Sequence, residues 1–137
     1  MTDQRNANTM KELTKAELQV MQYLWKLKKG FAKDIVAEFP EPKPAYNTVS
    51  TILRLLVKKG FVGYKAYGKT HEYYPQVERE DYTRRYFKSV LKNFFADSPQ
   101  RFASFFAKEG DLSLTELEEM KRMIEEQIEK QQGEKDA

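Results

Sequence analysis

The stretch from Asn47 to Lys58 carries the side chains best suited to chemistry with a partner: Asn47, Ser50, Thr51 and Arg54, then Lys58. An amide, two hydroxyls and a guanidinium are the groups that hydrogen-bond base edges, and arginine and asparagine can do so bidentately. At about 100° per residue, Asn47, Thr51, Arg54 and Lys58 share one side of a helix, with Ser50 at its flank. Val49, Ile52, Leu53 and Leu56 fall within about 100° of arc on the opposite side. Lys43, Tyr46, Thr48, Lys58, Lys65, Tyr67, Lys69 and Thr70 add donors suited to phosphate oxygens, which position a protein without specifying sequence. Any surface helix has a polar outer face, so the strip alone does not separate a groove-reading helix from an ordinary one.

The distribution of charge points the same way. Residues 1–77 hold 13 Lys/Arg against 7 Asp/Glu, whereas residues 78–137 hold 11 against 14. From Lys43 to Pro75 there are six basic side chains and a single acid, Glu72. A basic segment followed by an acidic tail suits a polyanion-binding module joined to a module with another task.

Other chemistries have little to stand on. The 137 residues contain no cysteine, which excludes a disulfide framework, a thiolate metal site and a cysteine nucleophile. The one histidine, His71, cannot build a multi-histidine metal centre and reads as a polar strand residue. No phosphate-cradling glycine loop or Gly-x-Ser-x-Gly elbow is present. No catalytic residue, metal or cofactor is expected. Composition is 40% hydrophobic and 33% charged, as in a globular protein, and no apolar run approaches the ~18–20 residues that span a bilayer. Residues 1–11 lack an apolar signal region, so the expectation is a cytoplasmic protein without membrane insertion.

The elements that would position these residues are legible as follows. Thr14 and Glu17 have capping-box spacing with Leu13 and Leu18 as a hydrophobic staple, opening a helix to Lys28 with Leu18, Met21, Leu24 and Trp25 inward and a stop at Gly30. Phe31 is extended, and a brief helix over 32–39 buries Ile35, Val36 and Phe39 before Pro40, Pro42 and Pro44 forbid its continuation. The third helix runs over 45–59 and ends at Gly60. The runs 61–67 and 71–75 form a hairpin around Gly68-Lys69-Thr70. Three helices and a basic hairpin make the order of a winged helix, with one helix in a groove and the wing along adjacent phosphates.

Beyond Pro75 only helical patterns remain. Residues 78–95 place Tyr82, Tyr86, Phe87, Val90, Leu91, Phe94 and Phe95 at three-and-four spacing. A second helix starts near Ser98 with Pro99 at its first position, carries Phe102, Phe105 and Phe106, and stops by Gly110. A third opens on a Ser113/Glu116 capping box with Leu112 and Leu117 as staple. Its stripe is Leu117, Met120, Ile124 and Ile128, after which polarity takes over. So many apolar faces in so few residues must be covered. They pack either on the N-terminal domain or on the same segment of a second chain; the second is the better fit, because a two-fold pair of modules reads two half-sites.

The run from Thr48 to Val62 (TVSTILRLLVKKGFV), the opening from Leu13 to Trp25, and Gly68-Lys69 followed by Tyr73-Tyr74-Pro75 together resemble the penicillinase repressor (BlaI/MecI/CopY) family over about residues 11–130. The resemblance implies a homodimeric repressor of palindromic operators, often in antibiotic resistance, released by proteolysis in the helical domain through a sensor-linked protease. The region corresponding to that cut falls at Ser104-Phe105-Phe106, where the β-lactam members have Asn-Phe. The copper-responsive branch carries a C-terminal cysteine motif that this chain lacks.

The expected fold is mostly α with a small β-hairpin: a disordered tail over 1–10, a winged helix-turn-helix domain over 11–76, and a three-helix dimerisation domain over 77–137. Tyr86, Val90, Phe94, Phe102, Phe105, Phe106, Leu117, Met120, Ile124 and Ile128 are the expected interface. The expected function is transcriptional repression by operator binding. Two alternatives stay open: a winged helix that docks protein through Tyr64, Tyr67, Tyr73 and Tyr74, and a regulator responsive to a small ligand.

Overall fold

A computed structural model describes residues 12–136; the expected tail, residues 1–10, lies outside the described residues. Helix α1, Lys15–Leu27, begins as its sequence dictates. The Glu17 amide donates to Thr14 Oγ1 and the Thr14 amide to Glu17 Oε1, at 3.1 and 2.9 Å. Two of the backbone donors left unpaired at a helix start are thereby satisfied. The helix ends at Leu27, one residue before the expected Lys28: Lys28 takes φ 72° and its amide donates to Leu24 O. Gly30 is instead the first residue of strand β1, Gly30–Phe31, paired with Tyr73.

Helix α2, Ala32–Glu38, starts where the Phe31 amide donates to Asp34 Oδ2, at 2.8 Å. It buries Ile35 fully and Val36 and Phe39 in part. Helix α3, Tyr46–Lys59, is closed by Gly60 at φ 85°, a left-handed conformation that side chains resist. Strands β2, Val62–Tyr67, and β3, Thr70–Pro75, pair antiparallel and leave Gly68-Lys69 as a two-residue turn. Gly68 has φ 63° at the first turn position, as the tight hairpin turn with glycine there requires. The sheet order is β1-β3-β2.

Val20, Met21 and Leu24 of α1, Ile35 of α2, and Val49, Leu53 and Leu56 of α3 are wholly inaccessible, with Phe61, Val62 and Tyr73 closing the core from the sheet side. Helix α4, Arg79–Phe95, contributes to this same core. The Tyr82 hydroxyl accepts from the Leu13 amide at 2.8 Å, and its ring lies against Phe61 and Trp25. Trp25 Nε1 donates to Val77 O, also at 2.8 Å. These ties carry the first compact unit past residue 76 as far as Phe87, and the second begins at Lys88.

The second unit holds the rest of α4, then α5, Pro99–Glu109, and α6, Leu114–Asp136. Ser98 caps α5 by accepting from the Arg101 amide, and the Ser113/Glu116 capping box opens α6 with bonds of 2.9 and 3.1 Å. Phe95 packs on Phe102 and Phe105, and Phe102 stacks on Phe106. Helix α6 continues through the polar stretch after Ile128 to Asp136. Neither α5 nor α6 buries a residue. The chain is thus mostly helical with a small antiparallel sheet, in the element order of a winged helix followed by helices.

Candidate nucleic-acid interface

The apolar stripe of α3 fixes which side faces out. With Val49, Leu53 and Leu56 inaccessible, Asn47, Thr51, Arg54 and Lys58 are exposed and Ser50 is half-buried. Thr51 Oγ1 donates to Asn47 O at 2.9 Å and accepts a long 3.4 Å bond from Arg54 Nη2, which lays the guanidinium along the strip. A groove of about 410 Å³ runs beside the strip, between α3, the start of α2 and the hairpin. Tyr46, Asn47, Ser50 and Arg54 line it from α3 and Lys69 and Thr70 from the hairpin tip. Residues far apart in sequence are brought to one concave surface with three cations and no carboxylate in its lining. Amide, hydroxyl and guanidinium groups backed by ammonium groups can hydrogen-bond base edges and phosphate oxygens together.

Beside Phe31, Ala32 and Tyr73, two basic lining residues were not among the expected DNA contacts. Lys33 enters from the first turn of α2, and nothing in the local pattern distinguishes it from other surface lysines. His71, read as a polar strand residue, does lie in β3, where its imidazole stacks on Tyr64 at 4.3 Å and 14°. Register puts Tyr64 and His71 on one face of the hairpin with Tyr73. Burial pushes the Tyr73 phenol up from its ordinary range despite the opposing charge of Arg54.

Other expected contacts stand elsewhere. Lys65 and Tyr67 occupy the opposite face of the hairpin, with the Lys65 ammonium 5.3 Å from the Tyr67 ring centre. Thr70 Oγ1 donates to Tyr67 O, closing the turn. Lys43 donates its ammonium to the carbonyls of Ala37 and Phe39, capping α2, so a phosphate would have to compete with those bonds. Thr48 is exposed but does not line the groove. Lys59, adjacent to Lys58, bonds both oxygens of Glu17 at 2.9 and 2.7 Å. Burial pushes the Glu17 carboxyl up, but Lys59 and the Thr14 amide outweigh it and hold it below the usual range.

In the second unit, Phe94 is 77% exposed and Ile124 57%, and Phe105, Phe106 and Ile128 are also exposed. Val90, Phe102, Leu117 and Met120 are half-buried. Tyr86 is exposed but falls in the first unit, stacked on Tyr82. Among the described residues, no helix is long and apolar enough to cross a membrane and no acidic, histidine or cysteine cluster could hold a metal.

Comparison with known proteins gives a consistent result. The family model described as penicillinase repressor matches residues 13–126. The methicillin resistance regulatory protein MecI of Staphylococcus aureus is 29% identical over 118 residues, covering 85% of this chain and 96% of the relative. The penicillinase repressor of Bacillus licheniformis is 26% identical over 116 residues, covering 84% and 91%. Among solved structures, the CopR repressor is 33% identical with a TM-score of 0.41, covering 50% of this chain and all of that one.

Proposed function

Because the chain belongs to the penicillinase repressor family, a family of repressors and not of enzymes, we propose that it is a DNA-binding transcriptional repressor acting as a homodimer on a palindromic operator in the cytoplasm. Helix α3 lies in the major groove, with Asn47, Ser50, Thr51 and Arg54 toward base edges. Lys58, Lys69 and Thr70 meet the flanking phosphates, joined by Lys33. The helices from Lys88 onward, together with Tyr86, hold two copies together, and proteolysis there by a sensor-linked protease releases the operator.

The observation that carries this proposal is the groove itself: the polar strip of α3 is exposed and shares one concave, cation-lined surface with the hairpin tip. Major-groove docking needs a helix that is rigid on one side and free on the other. The inaccessible Val49, Leu53 and Leu56 supply the rigid side. The test is capture of genomic fragments by the full-length protein, followed by sequencing and binding measurements on the enriched duplex. A two-fold symmetric motif should emerge, bound with an affinity that falls steeply between about 50 and 200 mM salt. Recovery of no motif, with salt-insensitive binding, would refute the proposal.

A further inference from the structure

Beside the strip on α3 stands a side chain that neither core packing nor polar contact explains. Leu55 is 45% exposed, on a helix whose other leucines, Leu53 and Leu56, are wholly buried. At about 100° per residue it lies about 70° to one side of the centre of the Asn47, Thr51, Arg54 and Lys58 row. Ser50 lies at a matching angle on the other side. Leu55 therefore flanks the outward row, one turn after Thr51. It also lines a shallow depression of about 420 Å³ with Thr51, Arg54, Val57 and Lys58. Its lining combines the aliphatic Leu55 and Val57 with two cations, Arg54 and Lys58.

That combination selects its occupant. An apolar surface flanked by two positive charges is poorly suited to a hydrophobic helix and well suited to an apolar group carried on a polyanion. In the major groove the one such group is the thymine 5-methyl, which aliphatic side chains contact directly. We propose that Leu55 is a specificity-determining residue that reads a thymine methyl in each half-site, with Arg54 and Lys58 holding the neighbouring backbone and bases. The assignment rests on the DNA-binding function proposed above. It adds a preference that the amide, hydroxyl and guanidinium groups of Asn47, Ser50 and Arg54 do not supply; the methyl of Thr51, which lines the same depression, is the rival reader that the Leu55 variants separate.

The experiment uses the full-length protein and the tightest duplex selected from random-sequence DNA, with each thymine replaced in turn by deoxyuridine. Wild-type protein should bind about fourfold more weakly at one substituted position per half-site, the loss expected for one buried methyl group. Leu55→Ala should bind the thymine duplex more weakly by a similar factor and be indifferent to deoxyuridine there, whereas Leu55→Met, which keeps the apolar volume, should retain the preference. Unchanged deoxyuridine sensitivity in Leu55→Ala, or no sensitive thymine in the wild type, overturns the role of Leu55 while leaving DNA binding intact. Failure of the wild type to select any duplex overturns both.

Discussion

Replacing Lys59 by methionine removes a charge that α3 lends to the start of α1 while keeping most of the side-chain stem. Lys59 Nζ donates to both oxygens of Glu17, at 2.9 and 2.7 Å, and the Thr14 amide donates to one of them at 2.9 Å. The Glu17 side chain is 5% exposed and that of Lys59 29%. Removing one partner of a fully buried pair costs about 3–5 kcal/mol, whereas a surface pair is worth about 0–1. With one end buried and the other reached by water, Lys59→Met should cost about 1.5–3 kcal/mol at neutral pH. Adding Glu17→Gln should restore part of this, because the amide oxygen can still accept from Thr14 and no charge is stranded.

The acid response gives an independent check. The folded-state carboxyl of Glu17 lies below its ordinary range. Its stabilisation is therefore complete above the unfolded-state range and is lost as pH falls through the lower folded value. Urea unfolding at one fixed protein concentration, at pH 7 and pH 3, measures both effects. Wild type should lose more stability on acidification than Lys59→Met. A neutral-pH cost below about 0.5 kcal/mol, or the same acid loss in both proteins, would refute the reasoning.

Three other outcomes follow from the same geometry. Arg54→Ala should cost about 1–3 kcal/mol on the selected operator and relax preference at one base pair, while Lys69→Ala should weaken specific and random duplex alike and lower the salt slope by about one; titrations across salt separate the two. Phe94→Lys combined with Ile124→Lys should leave a monomer in sedimentation at micromolar concentration, because both side chains are large, apolar and exposed within one chain; a persisting dimer would move the interface elsewhere. Tyr82→Phe should cost about 1–3 kcal/mol in urea unfolding by stripping the Leu13 amide of its acceptor.

Local rules carried the sequence far. The Thr14/Glu17 and Ser113/Glu116 capping boxes, the αL glycine after Lys59 and the Gly68 turn each depend on residues within four positions of one another, and each formed where spacing placed it. The inward stripe of α3, and with it the outward strip, followed from helical periodicity alone. The role of Gly30 did not, because it is drawn into β1 by a strand partner, Tyr73, that lies 43 residues downstream.

Composition and periodicity fixed what each helix could bury and which groups it left facing out; they carried no information about which distant segments would meet. Folding decided that Lys33 and His71 would join Arg54 on one groove, that Lys43 would cap α2, that Lys59 would pair with Glu17, and that Tyr82 would belong to the winged-helix core. The reason is physical: capping and amphipathicity are set by the chain's own neighbours, whereas the partner of a charge or a ring is set by the packing of elements whose separation in sequence leaves no trace in either one.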